Sequence, residues 1–260
     1  MLLQYDPTLL LLISLAGLYA GTQNTLAGGG SFITFPALLL AGLDPLSANI
    51  TSTLALFPNQ ITSSLAGRKL AGGVGKLSLK KLFALSIAGG LVGAILLLNT
   101  PISIFTKLVP WLVLIATILF TWGSFRKKPL HTTKTMPLPI LALVQFLIGI
   151  YGGYFGGGIG ILMLASLSLA GQQVRMATAT KNVLAMAMNT SAVILFAFSN
   201  HVYWLEGLAL AMGGIGGGFL GSWLVHRLPE KVMRGFVVLV GMTLSTVSYT
   251  HLTLPTKRIV

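Results

Sequence analysis

Gly28-Gly29-Gly30-Ser31-Phe32-Ile33-Thr34-Phe35-Pro36-Ala37-Leu38-Leu39-Leu40-Ala41-Gly42 is an apolar run opened by three glycines and closed by a fourth. It returns in altered form as Gly156-Gly157-Gly158-Ile159-Gly160-Ile161-Leu162-Met163-Leu164-Ala165-Ser166-Leu167-Ser168-Leu169-Ala170-Gly171. Both runs have helical composition, yet both are short for a bilayer crossing, which takes about 20 apolar residues at 1.5 Å each. A glycine triplet ahead of a short apolar helix is the mark of a broken helix, because glycine alone lets the backbone unwind at little steric cost.

Working outward, the flanks of the two runs also match. Gly17-Leu18-Tyr19-Ala20-Gly21 recurs as Gly149-Ile150-Tyr151-Gly152-Gly153, and Ala48-Asn49-Ile50-Thr51 as Ala177-Thr178-Ala179-Thr180. Further on, Gly89-Gly90-Leu91-Val92-Gly93 recurs as Gly213-Gly214-Ile215-Gly216-Gly217. The chain is therefore read as two copies of one unit. Apolar runs fall at 8–27, 31–43, 46–66, 78–98 and 104–123 in the first copy. In the second they fall at 137–155, 159–171, 174–198, 204–224 and from 232 onward. Five segments per copy is odd, so the second copy enters the membrane from the opposite side, giving inverted repeats. The expected fold is an all-α polytopic membrane protein with about ten transmembrane segments, including short broken helices. Its expected divisions are a first repeat, 1–123, a basic cytoplasmic linker, 124–136, and a second repeat, 137–246.

Charge sets the orientation. Basic loops carry Arg68, Lys69, Lys76, Lys80 and Lys81; then Arg126, Lys127, Lys128 and Lys134; then Arg227, Lys231 and Arg234. Arg175 and Lys181 mark a fourth. With ten crossings all four face the cytoplasm and the N-terminus lies outside. Merging the short segments into their neighbours makes the Arg227 loop conflict with the Arg126 loop.

Composition excludes other classes. Charged residues are 8% of the 260, against 54% hydrophobic, and the net charge is +13. A soluble globule carries roughly a quarter charged residues. The pI of about 10.4 arises from clusters between apolar runs, so nucleic acid is not a partner; the partner is the lipid bilayer. There is no Cys, and the carboxylates are Asp6, Asp44, Glu206 and Glu230 alone, a poor set for catalysis or a metal centre. No cleavable signal is evident, since Asp6 precedes the first apolar run where a basic region would stand.

The candidate site is the pair of breaks. A helix that starts at a break offers free N–H groups and the positive end of its dipole. Two such ends near the midplane would hold an anion without arginine. The candidate substrate-binding residues are Gly28, Gly29, Gly30 and Ser31 with Gly156, Gly157 and Gly158. Polar residues behind them join the set: Asn49, Thr51, Ser52 and Asn59 in the first copy, Thr180, Lys181, Asn182 and Asn189 in the second. Thr53 and Thr178 belong to the same stretches. The competing reading is packing for the glycines and interhelical hydrogen bonding for the hydroxyls and amides. Gly89, Gly93, Gly213 and Gly217 are assigned to packing. Lys181 either neutralises a bound anion or snorkels to the basic face beside Arg175. Pro36 has only Ala165 opposite it, so the halves need not bind alike.

These residues resemble the TauE/SafE family of sulfite and organosulfonate exporters. The first-half match runs from Leu26-Ala27-Gly28-Gly29-Gly30 to Phe35-Pro36-Ala37-Leu38 and Ala48-Asn49-Ile50-Thr51-Ser52-Thr53. The second-half match is Gly152-Gly153-Tyr154-Phe155-Gly156-Gly157-Gly158, then Ala179-Thr180-Lys181-Asn182 and Asn189. Ala27 stands where the family often has a further glycine. The resemblance covers about 10–246 and implies transport of a small anion, typically a sulfur oxyanion or sulfonate. From Val247 the sequence Val247-Ser248-Tyr249-Thr250-His251-Leu252-Thr253-Leu254-Pro255-Thr256 resembles a translated transposon-end sequencing adapter. Residues 247–260 are read as a non-native tail.

The function expected is a secondary transporter, not an enzyme, moving a small anionic substrate by alternating access. An anion channel is the alternative. No cofactor is expected; coupling to H+ or Na+ stays open, as do the anion, the direction of transport and the oligomeric state.

Overall fold

The computed structural model describes residues 6–26, 29–125 and 137–224, and everything in it is helix or connection. The first five helices are α1 (Pro7–Leu26), α2 (Ser31–Leu40), α3 (Pro45–Gly67), α4 (Leu79–Leu98) and α5 (Ile102–Phe125). They are followed by α6 (Leu138–Tyr154), α7 (Ile159–Leu169), α8 (Val174–Ala197) and α9 (Trp204–Leu224). Nine expected apolar runs thus each coincide with a helix. Gly28, nearly all of the 124–136 linker, the tenth run, and the 247–260 tail lie outside the described residues. Among the described residues one helix, α4, is long and apolar enough to cross a membrane by length and composition alone. Helices α1, α3 and α8 reach 20 residues or more but carry Gln, Asn and Thr into the interior.

The carboxylates among the described residues sit at helix starts, where they meet unpaired N–H groups and the positive dipole end. Asp6 accepts the Thr8 N–H at 2.9 Å. Asp44 caps α3 by accepting from Leu46 at 3.0 Å and Ser47 at 3.1 Å. Glu206, buried, lies in the first turn of α9. The short helices end alike. Gly42 (φ +94°) and Gly171 (φ +95°) adopt the left-handed conformation that glycine accepts. Leu43 N–H then bonds Leu38 O, as Gln172 N–H bonds Leu167 O.

The packing comes in matched pairs: α1 lies along α9 as α6 lies along α4, α4 meets α8 as α9 meets α3, and α3 crosses α8. Glycines set the closeness. A Cβ added to Gly213 or Gly217 of α9 would run into the carbonyls of Ser14 and Leu18 on α1. One added to Gly89 or Gly93 of α4 would run into those of Phe146 and Ile150 on α6. Backbone-to-backbone contact of this kind is how helices associate where no hydrophobic force acts between them. Two apolar cores result. One gathers Phe32, Phe35, Phe105, Phe155 and Phe196; the other gathers Leu82, Leu141, Met163, Leu167 and Met188. Large apolar side chains also cover the outside, among them Trp111 and Ile118 of α5 and Met212 and Phe219 of α9.

Candidate functional site

One small cavity touches the second break at Gly157 and the start of α2 just past the first break. Its wall is made by Ser31, Phe32, Phe35 and Pro36 of α2, Asn49 of α3, Val113 of α5, and Phe155 and Gly157 of the α6–α7 break. The space left for the centre of a water-sized sphere is about 10 Å³, room for roughly one water. Phe35 and Phe155 meet edge to face across it, with ring centroids 5.7 Å apart. Asn49 ties the halves together here, its Nδ2 donating to Tyr154 O at 3.0 Å.

The second break is the more open to a ligand. Gly156 (φ +79°) and Gly158 (φ +74°) turn the chain out of α6, and Gly158 caps α7 with no side chain to satisfy the helix start. The N–H groups of Gly157, Gly158, Ile159 and Gly160 have no acceptor among the described residues. Lys181 lies over this turn: its Nζ is 3.6 Å from where a Cβ on Gly160 would sit. No described residue pairs with that ammonium. A cation beside the positive end of a helix is repelled by it unless an anion lies between the two.

The first break is closed by its own residues. Gly29 (φ +88°) presents its carbonyl to Gln23 Nε2 at 3.3 Å and to the Phe32 N–H at 3.0 Å. Gly30 is buried against α1, where an added Cβ would come 3.0 Å from Ala20 O. Ser52 shares a 2.5 Å hydrogen bond with Thr34, which also donates to Gly30 O.

Other candidates sit elsewhere. Thr51, fully buried, accepts the Tyr203 N–H at 3.1 Å. Thr180, equally buried, accepts the Gly72 N–H at 3.1 Å and donates to Gly72 O at 3.2 Å. Asn189 donates to Gln60 Oε1 at 2.6 Å and keeps its own Oδ1 without a partner among the described residues. Asn59 is buried with Nδ2 unpartnered among the described residues, while its backbone carbonyl accepts from Thr62 and Ser63. Asn182 is partly buried and makes no bond to a described side chain. Ser31, Asn49 and Gly157 are thus brought together in one wall, and Lys181 joins the same break from α8. Thr51 and Thr180, close in sequence to Asn49 and Lys181, turn their hydroxyls to Tyr203 and Gly72 instead.

Three residues absent from the sequence reading complete the polar interior. Gln60 is the partner of Asn189. Gln172 donates to Gly72 O at 2.8 Å, Gly73 O at 3.2 Å and Thr180 Oγ1 at 3.2 Å. Gln145, fully buried, donates to Ser86 Oγ at 2.9 Å. The repeat offset carried a signal for the first. Gln60 and Asn189 are 129 residues apart, the same spacing that separates Thr51 from Thr180.

Comparison with known proteins finds relatives along nearly the whole chain. The sequence model described as Sulfite exporter TauE/SafE matches residues 13–248. The "Probable membrane transporter protein ORF9" of Sinorhizobium sp is 34% identical over 243 residues, covering 91% of each chain. The "Probable membrane transporter protein YfcA" of Escherichia coli K12 is 28% identical over 248 residues, covering 94% of this chain and 91% of its own. The "Probable membrane transporter protein YunE" of Bacillus subtilis is 26% identical over 261 residues, covering 88% and 94%. With glycine breaks, polar third helices and matches along nearly its whole length, the chain belongs to the TauE/SafE family of membrane transporter proteins.

Proposed function

We propose that this protein is a secondary transporter that carries a small anion, a sulfur oxyanion or an organosulfonate, across the bacterial plasma membrane by alternating access. The observation that carries the reading is the second break. Four N–H groups without an acceptor among the described residues lie there with the Lys181 ammonium beside them, and no described carboxylate pairs with either. A tetrahedral or pyramidal oxyanion matches that set of donors, and a charge-assisted bond from lysine adds strength over neutral amides. Ser31 and Asn49 line the small cavity that Gly157, the first residue of this donor set, also reaches.

In this reading the molecule is two inverted repeats of five crossings each, with the N-terminus outside and the basic loops in the cytoplasm. The matched helix pairs, the equal ends of α2 and α7, and the common offset of Thr51–Thr180 and Gln60–Asn189 support it. The near-closed cavity favours a carrier over a continuous pore. Glu206 is the one buried carboxylate among the described residues and stands at a helix start, so H+ has no carboxylate relay at the site, whereas Na+ has the backbone carbonyls that broken helices offer.

The test is a thermal-shift screen of the detergent-purified protein against sulfite, sulfate, thiosulfate, taurine and sulfoacetate. At least one of them should raise Tm in proportion to ln(1 + [L]/Kd), and Lys181→Met should abolish the rise. No shift with any of the five, or the same shift in the variant, overturns the assignment. Counterflow in proteoliposomes separates carrier from channel, since a channel shows none.

A further inference from the structure

Thr51 and Thr180 occupy the same place in two helices: each is the seventh residue, of α3 and of α8. Each binds the connection that leaves the end of the other helix. Thr51 of α3 accepts the N–H of Tyr203, six residues beyond the end of α8. Thr180 of α8 exchanges two hydrogen bonds with Gly72, five residues beyond the end of α3. Because α3 runs from the first contact toward the second, the two lie at opposite ends of it. Between them α3 and α8 touch through Gln60 and Asn189, again an equivalent pair. Nine residues separate Thr51 from Gln60 and Thr180 from Asn189, about 13 Å of helix on each side of the crossing.

We infer that Thr51 and Thr180 are positioning residues, two gate latches on either side of a pivot at Gln60–Asn189, and do not hold substrate. The inference rests on the alternating-access reading above. With both latches made, neither side is open, in keeping with a cavity that has room for roughly one water. Rocking of one half about the crossing breaks one latch while the other holds, which is the geometric requirement for exposing one side at a time. The latches are unequal. The Tyr203 side has one backbone donor on one hydroxyl. The Gly72 side adds Gln172, which spans Gly72, Gly73 and Thr180. The Tyr203 side therefore opens the more readily.

The chain has no cysteine, so a single Ser31→Cys placed in the cavity wall reports access without background. The measurement is its labelling rate by a membrane-impermeant thiol reagent, added to sealed vesicles of each orientation without substrate. Thr51→Val should raise labelling from the face bearing the 198–203 connection about three- to tenfold, the worth of one neutral hydrogen bond. Thr180→Val alone should do less, because Gln172 still holds Gly72. Gln172→Leu with Thr180→Val should raise labelling from the face bearing the 68–78 connection. Thr51→Ser, which keeps the hydroxyl, should behave as wild type. Tyr203→Pro strips the same bond from its other partner, so the latch at Tyr203 stays testable if Thr51→Val does not fold. Unchanged labelling in these variants, or a rise from both faces together, overturns the latches. Sulfite-induced thermal shift in the same variants is a separate readout: its loss in all proteins including wild type would sink the anion site and leave the latches standing.

Discussion

The two glycine breaks share a scaffold and differ in chemistry. In the first, the third helix approaches through Ser52, whose hydroxyl is consumed by Thr34. In the second, the equivalent position is Lys181, whose ammonium lies over Gly160 with no partner among the described residues. Around them the repeated features keep their roles. Gly42 and Gly171 end the short helices alike, the glycine rows of α4 and α9 meet α6 and α1 alike, and Thr51 and Thr180 each bind across to the other half. In the proposed repeat, the positions that match close the bundle, and the positions proposed to meet the ligand are the ones that differ.

The largest effect expected strikes the shared scaffold. Gly217→Leu and Gly93→Leu should each destroy the fold, since a side chain there meets a neighbouring backbone and cannot be relieved by a rotamer change. Yield of monodisperse protein in detergent is the measure, and the comparison breaks if one half tolerates the change. Next comes the site. Lys181→Met should weaken anion binding roughly 10- to 100-fold, the loss of a charged hydrogen bond of about 1.5–3 kcal/mol, while Ser52→Ala should change it less than about threefold. Titration of the anion by calorimetry measures both, and equal losses would erase the distinction between the breaks.

A smaller effect belongs to the crossing of α3 and α8. Gln60→Leu or Asn189→Leu alone strands a buried amide at a cost of about 1–3 kcal/mol, and the double substitution should recover about 1 kcal/mol relative to additivity. Thermal melting of the four proteins gives the coupling; perfect additivity would deny the pair. Smallest of all is Gly216→Ala. It lies between two critical glycines, yet an added Cβ meets nothing nearer than Leu18 Cδ1 at 3.8 Å. That substitution should leave stability unchanged or raise it by up to about 1 kcal/mol, against the collapse expected one position away at Gly217.

The course of the helices was legible because apolar runs and glycine punctuation are one-dimensional signals. The breaks and the glycine rows were read from order and spacing, and Lys181 from its charge inside an apolar run. The side-chain partners were harder. Gln60, beside the candidate Asn59, carries no local sign of meeting α8; only the offset of 129 residues from Asn189 points to it. The bonds of Thr51 to Tyr203 and of Thr180 to Gly72 are not legible in sequence, because a hydroxyl in an apolar helix reads the same whether it faces a ligand or a connecting loop. Gln172 lies between helices, in a stretch whose folding back over Gly72 is a long-range event with no local signature. Gly160 went unnoticed since its importance comes from the side chain that rests on it.

The most direct measurement is a structure of the protein with selenite, a heavier analogue of sulfite whose selenium gives an anomalous signal. The account predicts a peak within about 4 Å of the Lys181 ammonium and the amides of Gly158–Gly160. A peak only at the basic surface around Arg68 and Lys81, with the second break empty, would contradict it.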